Sequence, residues 1–393
     1  MTAKATDSES IVALLGDLVR IPSVNPAIAP EEGRGEEAVA RFACEWLARH
    51  GVEAWLETPR PGRPNAVARA GSGHGPTLVL CAHLDTVGTA GMSIPPFEPR
   101  VEGERLFGRG SYDMKGGAAA VMWAAAELAR RDLAGEVLLA LVADEEYESF
   151  GAEDFVSRHR ADGCIVTEPS EGRLILAHKG FVWAEIVTAG HAAHGSAWDL
   201  GISAISRMGR ILVALDTFDR DVLRRREHSL VGPASLHCAL VSGGVGLSTY
   251  APECRLKVER RTLPGEDPVA VIAELEHVVR DAGEAAEVRR LFDRSPLTCD
   301  RDSAIARSVR EAVAHVTGAP PPEAGVAYWM DAAIFAAAGI PTVNYGPSGA
   351  GAHEAVEWVD VRSVESCSRV LIEAALRFCA QQNGAGSAPA SER

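Results

Sequence analysis

Three short, almost wholly apolar runs in this chain stop on acid or imidazole. Residues 77–82 stop on His83-Leu84-Asp85, residues 137–143 on Asp144-Glu145-Glu146, and residues 164–167 on Glu168. Apolar runs of this length suit strands buried on both faces, the pattern of a parallel sheet. Helix-period segments alternate with them. Ile11, Leu14, Leu15, Leu18 and Val19 keep helical spacing, and Thr6 with Glu9 resembles a capping box before them. A second helix is expected over 36–50, stopped by Gly51, and an Ala-rich one from GRGSYDMKGG to about 131. Further strands are expected over 52–57 and 65–70. Strands alternating with helices predict an α/β sheet covered on both faces.

The middle of the chain reads differently. Strand 181–189, helix 202–215, strands 234–242 and 254–261, helix 269–282 and strand 286–292 make the order βαββαβ, a ferredoxin-like sheet. Helices at 303–317, 331–338 and 364–379 and a strand at 342–345 then resume the first pattern. The expected organisation is a catalytic domain in two parts, 1–178 and 294–380, with a domain inserted over 179–293. The polar stretch 381–393 reads as a disordered tail.

Charge and hydropathy narrow the function. Acidic residues number 54 and basic ones 39, a net charge of −15. That balance argues against nucleic-acid partners, which need a basic face, and against an anionic membrane surface. The longest apolar run, 118–126, is far short of the roughly 20 residues of a membrane span. The sequence MTAKATDSES carries no apolar signal region. Eight cysteines without a C-x-x-C pair read as buried thiols in a reducing compartment, so a cytoplasmic protein is expected.

The chemistry gathers where the apolar runs end, the edge at which α/β sheets place their functional groups. His83 is a good zinc ligand, and Asp85 could orient its other ring nitrogen. The plainer reading of His-x-Asp is a surface turn. Asp113 precedes a helix and could bridge two ions through its two oxygens, or simply cap that helix. Of Glu145 and Glu146, one could ligate while the other serves as base. Glu168 and His353 follow strands in the same way. Together the clusters supply two imidazoles, three carboxylates and a spare glutamate, the inventory of a two-metal hydrolytic site. An N/O set without thiolate suits zinc and tolerates cobalt or manganese.

With HLDTV, GRGSYDMKGG, DEE, TEPS, HAAHGS and a late Gly-x-His in this order, the chain resembles a known family. It is similar, from about residue 11 to 376, to the two-zinc amidohydrolases that include acetylornithine deacetylase, succinyl-diaminopimelate desuccinylase, aminoacylase and glutamate carboxypeptidase. The resemblance implies a zinc-peptidase-like α/β/α catalytic domain with an inserted ferredoxin-like dimerisation and lid domain. It implies two zinc ions per subunit. Asp113 would bridge them, His83 and Glu168 would complete one site, and Glu146 and His353 the other. Asp85 would support His83, Glu145 would be the general base, and the peptide after Asp113 would be cis.

His194 would reach the partner's active site in a homodimer and hold the oxyanion. Arg261 would grip the substrate carboxylate, near which Gly346, Ser348 and Gly349 would offer backbone N–H groups. Relatives often have Asn where Gly243-Gly244 leads to Ser248, so a hydroxyl stands there instead. Ala197-Trp198 replaces a common Pro, and Glu259 a common Asp. The implied activity is hydrolysis of an N-acyl amino acid, first an N-acetyl basic amino acid. Desuccinylation and di- or carboxypeptidase action come next. A non-catalytic dimer that binds small molecules is the reading from another class.

Overall fold

In the computed structural model, residues 10–380 are described. The Thr6–Glu9 box and the 381–393 tail lie outside them. The first helix is Ile11–Arg20, and its cap is Ser10, whose Oγ accepts from Ala13 N at 3.2 Å. The chain divides into two compact units: residues up to Leu176 with Cys299–Ala324 and Met330 onward, and Ala177–Thr298 with Gly325–Trp329.

The first unit is built on a mixed sheet. Its strands run, in spatial order, Glu53–Arg60, Arg63–Gly71, Glu136–Val142, Thr77–His83, Gly163–Val166 and Thr342–Asn344. Thr77–His83 is parallel to both its neighbours, and Gly163–Val166 is parallel to Thr342–Asn344. Glu136–Val142 differs from the expected all-parallel strand, because it pairs antiparallel with Arg63–Gly71 on its other side. Its continuous apolar character is nevertheless required, since Val137 to Val142 are all buried.

The sheet is covered on both faces. On one, Leu14, Leu18, Trp46 and Leu371 join the core with the helix Gly116–Leu128. That helix is Ala-rich because it is buried nearly all round, and small side chains admit close neighbours. On the other, the helix Phe150–Arg158, not anticipated from the sequence, packs Phe155 against Phe335 of Ala332–Ala337. A small sheet was also not anticipated. It orders Gly349–Ala350, Trp358–Asp360, Arg105–Phe107 and Arg100–Glu102. Two- and three-residue strands carry too little periodicity to read.

The second unit has the strand order Ser235–Gly243, Glu253–Thr262, Gly180–Ala189, Ala286–Arg294, all antiparallel. Alternation places Ala184 and Ile186 of Gly180–Ala189 in a core with Met208, Ile211 and Leu215 of the helix Ala204–Asp221 and Leu275 of Pro268–Asp281. Ser235–Gly243 is an edge strand, with Leu240 and Val241 exposed. No helix among the described residues is long and apolar enough to cross a membrane.

Candidate active site

Parallel pairing makes the ends of Thr77–His83, Glu136–Val142 and Gly163–Val166 open on one edge of the first unit's sheet. His83 is the last residue of the first of these, Asp144-Glu145-Glu146 follow the second, and Glu168 follows the third. Asp113 enters from the turn before the helix Gly116–Leu128, and its peptide bond to Met114 is cis. His353 comes from the loop between Gly349–Ala350 and Trp358–Asp360. The small sheet brings that loop to the Asp113 turn by pairing Trp358 with Phe107.

The side chains converge on Asp113. His83 Nε2 lies 3.2 Å from Asp113 Oδ1 and 3.4 Å from Glu168 Oε1. His353 Nε2 lies 3.3 Å from Asp113 Oδ2 and 3.1 Å from Glu146 Oε2. Two ligand-like triads thus share one carboxylate: His83–Asp113–Glu168 and Asp113–Glu146–His353. Glu145 belongs to neither, but its Oε2 is 3.9 Å from His83 Nε2.

Without a cation this cluster must share protons. Burial, and then the charge of Glu168, push Glu145 well above the ordinary carboxylate range. Burial does the same to Glu168, against the pull of His83. Burial also opposes a charge on His83, yet Glu168, Asp113 and Asp85 outweigh it and hold the ring protonated well above its ordinary range. Hydrogen bonds to Asp113 and Glu146 raise His353 to about 10. Acids that resist ionising beside imidazoles that keep protons make a pocket in which a divalent cation can take the protons' place. The donor set fits one: all ligand atoms are N or O, and Glu146 Oε1 is buried with no hydrogen-bond partner.

Asp85 does more than face His83. Its Oδ1 is 3.5 Å from His83 Nδ1 and accepts from Glu145 N at 3.1 Å, and its Oδ2 accepts from Glu146 N at 3.2 Å. Asp85 thus serves both: its backbone carbonyl meets His83 Nδ1 at 3.0 Å, and its buried carboxylate holds the acidic turn.

Sequence reasoning missed Glu357 and Arg109. Glu357 Oε1 accepts from Tyr112 N at 2.9 Å and Asp113 N at 3.0 Å. Its Oε2 accepts from Gly110 N at 2.9 Å and from Arg109 Nη1 at 2.7 Å. It is fully buried and pins the turn that presents Asp113. A glutamate between Val356 and Trp358, four residues past His353, was the available signal. Glu357→Ala strands the Arg109 charge and three N–H groups. It is expected to destabilise the chain by about 3–5 kcal/mol, read from the denaturant midpoint.

Of the remaining predicted residues, Gly346, Ser348 and Gly349 belong to the first unit, and His194, Ser248 and Arg261 to the second. Gly346 N donates to Ser170 Oγ at 2.9 Å, Ser348 N to Ser363 Oγ at 2.9 Å, and Gly349 N to Glu171 Oε1 at 3.4 Å. The three backbone donors expected for a substrate carboxylate are therefore engaged within the chain. At Gly346 a Cβ would stand 2.2 Å from Glu168 O, so only glycine fits there. In the second unit, Gly195 N donates to Ser248 O at 2.8 Å, and His194 pairs with Thr249, the residue after Ser248. Arg261 pairs with Glu259 and lies over the Phe181 ring at 5.4 Å, while its Nη1 is buried without a partner. Arg261 is paired with Phe181 near the start of Gly180–Ala189, and His194 follows that strand's other end. They are separated by roughly 25 Å of strand.

Comparison with known proteins agrees with this architecture. The chain is 31% identical over 339 residues to acetylornithine deacetylase of Myxococcus xanthus, covering 83% of this chain and 87% of that one. It is 26% identical over 331 residues to a protein of Staphylococcus epidermidis described as a probable succinyl-diaminopimelate desuccinylase, covering 76% and 79%. Among solved structures it superposes on the M20 family metallo-carboxypeptidase Sso-CP2 of Sulfolobus solfataricus. The TM-score is 0.78 at 19% identity, over 94% of this chain and 99% of that one. It also superposes on the YXEP protein of Bacillus subtilis, described as a dinuclear metal binding peptidase, with TM-score 0.72 at 18% identity over 93% and 96%. The signature of peptidase family M20/M25/M40 matches residues 79–377, and the chain belongs to that family of hydrolases.

Proposed function

We propose that this enzyme hydrolyses the amide bond of an N-acyl amino acid, with an N-acetyl basic amino acid such as N-acetylornithine as the leading substrate. The observation that carries the reading is Asp113, whose two oxygens meet two separate His–carboxylate pairs while Glu145 stands beside them uncommitted. His83, Glu168 and Asp113 would hold one divalent ion, and Glu146, His353 and Asp113 a second. Zinc is the first choice, with cobalt or manganese as substitutes. Such ions, when bound, polarise an amide carbonyl and make water a better nucleophile.

Glu145 takes the proton from the attacking water and returns it to the departing amine. Asp85 keeps the Glu145 backbone and the His83 ring in one register. Arg261 grips the substrate carboxylate, with the Gly346, Ser348 and Gly349 turn assisting if its internal hydrogen bonds yield, and Ser248 meets the substrate from the same end as His194. His194 donates to the oxyanion. Because His194 and Arg261 stand at opposite ends of one strand, a single copy cannot bring both to one small substrate. This supports a homodimer, with His194 of the partner subunit completing the site and the exposed edge strand Ser235–Gly243 available for pairing. We also place the enzyme in the cytoplasm, consistent with its eight free thiols.

The relatives' names favour deacetylation over desuccinylation, and the panel that decides is small. N-acetylornithine is expected to release amine with a kcat/KM at least about tenfold above N-succinyl-diaminopimelate and dipeptides, a gap of 1.4 kcal/mol. Equal or better turnover of a dipeptide would move the assignment to peptidase action. For the dimer, mixing His194→Ala chains with Glu145→Ala chains is expected to restore activity. No recovery after verified subunit exchange would remove His194 from that role.

A further inference from the structure

The residues that hold the Asp144-Glu145-Glu146 turn lie far away in sequence. Asp144 has φ of +71°, a left-handed conformation that non-glycine residues seldom adopt. Strain of this kind persists only where the surroundings enforce it, and here they do. Arg63 Nη1 sits 3.0 Å from Asp144 Oδ1, and Glu148 N donates to Asp144 Oδ2 at 3.2 Å. Glu36, fully buried, binds Arg63 Nε at 2.6 Å and accepts from Asp144 N at 3.2 Å.

Between Asp144 and Asp85 stands Asn25. Its Nδ2 donates to Asp85 Oδ2 at 2.8 Å and to Asp144 Oδ1 at 3.0 Å. Its Oδ1 accepts from Ala27 N at 3.0 Å, so the amide can face the two acids only with its NH2 group. Asn25 is fully buried, and its backbone N donates to Thr86 O at 2.9 Å, which fixes it beside Asp85. Two buried carboxylates that would repel are thus joined through one neutral double donor. One of them belongs to Asp85, whose backbone carbonyl meets His83 Nδ1 at 3.0 Å, and the other begins the turn that carries Glu145.

We propose that Asn25 is a positioning residue of this enzyme: its amide locks Asp85 to Asp144 and so sets Glu145 against His83. The claim rests on the reading of Glu145 as general base and of His83 and Glu146 as ligands. It predicts that what matters at position 25 is hydrogen-bond donation, not volume. Asn25→Asp keeps the shape, loses both donors and adds a like charge. Asn25→Ser is smaller but keeps one donor.

The test is steady-state hydrolysis of N-acetylornithine by cobalt-loaded wild type, Asn25→Asp and Asn25→Ser, with cobalt affinity followed by visible absorption. Asn25→Asp is expected to lose about 10–100-fold in kcat at saturating cobalt and to bind cobalt about tenfold more weakly. Its KM should stay within about threefold, since no substrate contact is removed. Asn25→Ser should fall between it and wild type. An Asp variant that equals or exceeds the Ser variant in kcat, as packing alone would give, overturns the proposal. So does a loss confined to KM. Should Asn25→Asp not fold, Asn25→Ser against Asn25→Ala carries the same comparison, with Ser expected higher. If the wild type cleaves no substrate, the functional reading has failed, and cobalt affinity alone decides: Asp weaker than Ser supports the lock, and equal affinity overturns it.

Discussion

Glu145→Gln is expected to fold, to bind metal, and to lose roughly 10²–10⁴-fold in kcat, the range for removing a positioned general base. The side chain is kept in size and polarity, so KM should change little. The same variant carries a second, independent expectation about the metal-free protein. Burial and Glu168 raise the Glu145 carboxyl well above its ordinary value of 4.5. A group whose pKa rises on folding stabilises the fold only while it stays protonated. That contribution is complete below the unfolded value and is lost as pH climbs through the folded one. Glutamine cannot ionise and so does not suffer the loss. Chelated Glu145→Gln should therefore melt above chelated wild type at pH 8, and the gap should shrink towards pH 5. Thermal melts at the two pH values check this, and a gap that widens on acidification would contradict the assigned cause.

Asp113→Ala has the larger reach, because both triads lose the carboxylate they share. Metal content should fall by half or more, and activity by roughly 10³-fold or beyond, as expected when the Lewis acid goes. In the metal-free protein the effect should also appear on a histidine. His353 is raised to about 10 by hydrogen bonds to Asp113 first and Glu146 second. Without Asp113 its imidazole should titrate clearly lower, which an NMR titration of the ring protons reads directly. An unchanged His353 titration would show that the two side chains do not meet in solution.

Much of this site is legible in the sequence, for a physical reason. His83, Glu145, Glu146 and Glu168 each stand where a buried apolar run stops, and a parallel sheet collects such endings on one edge. Asp113 and His353 are legible from the residue pattern as candidates, and only the family resemblance implies that they are neighbours. What joins them is pairing between Trp358 and Phe107, far apart in sequence and in strands too short to show a period. The strands of the second unit are legible because one face meets helices and the other does not, so Val182, Ala184 and Ile186 alternate with more exposed residues. The supporting groups are a different matter. Asn25, Glu36, Arg63 and Glu357 look like ordinary polar residues in a linear reading. Their function comes from lying opposite a backbone N–H or a carboxylate that only the fold supplies, with Asn25, Glu36 and Glu357 buried and Arg63 half-buried. Ser10 caps the first helix from the position just before Ile11.

If two metal sites that share Asp113 hydrolyse an amide with Glu145 beside them, activity requires both to be filled. Titrating metal-free protein with cobalt while recording both bound metal and amine release from N-acetylornithine tests it most directly. Activity should climb to a plateau near two equivalents per chain, as a two-metal site requires. Glu145→Gln should bind the same two equivalents in silence. Full activity in protein stripped of metal, or no cleavage of any N-acyl amino acid by protein that holds both ions, would contradict this mechanism.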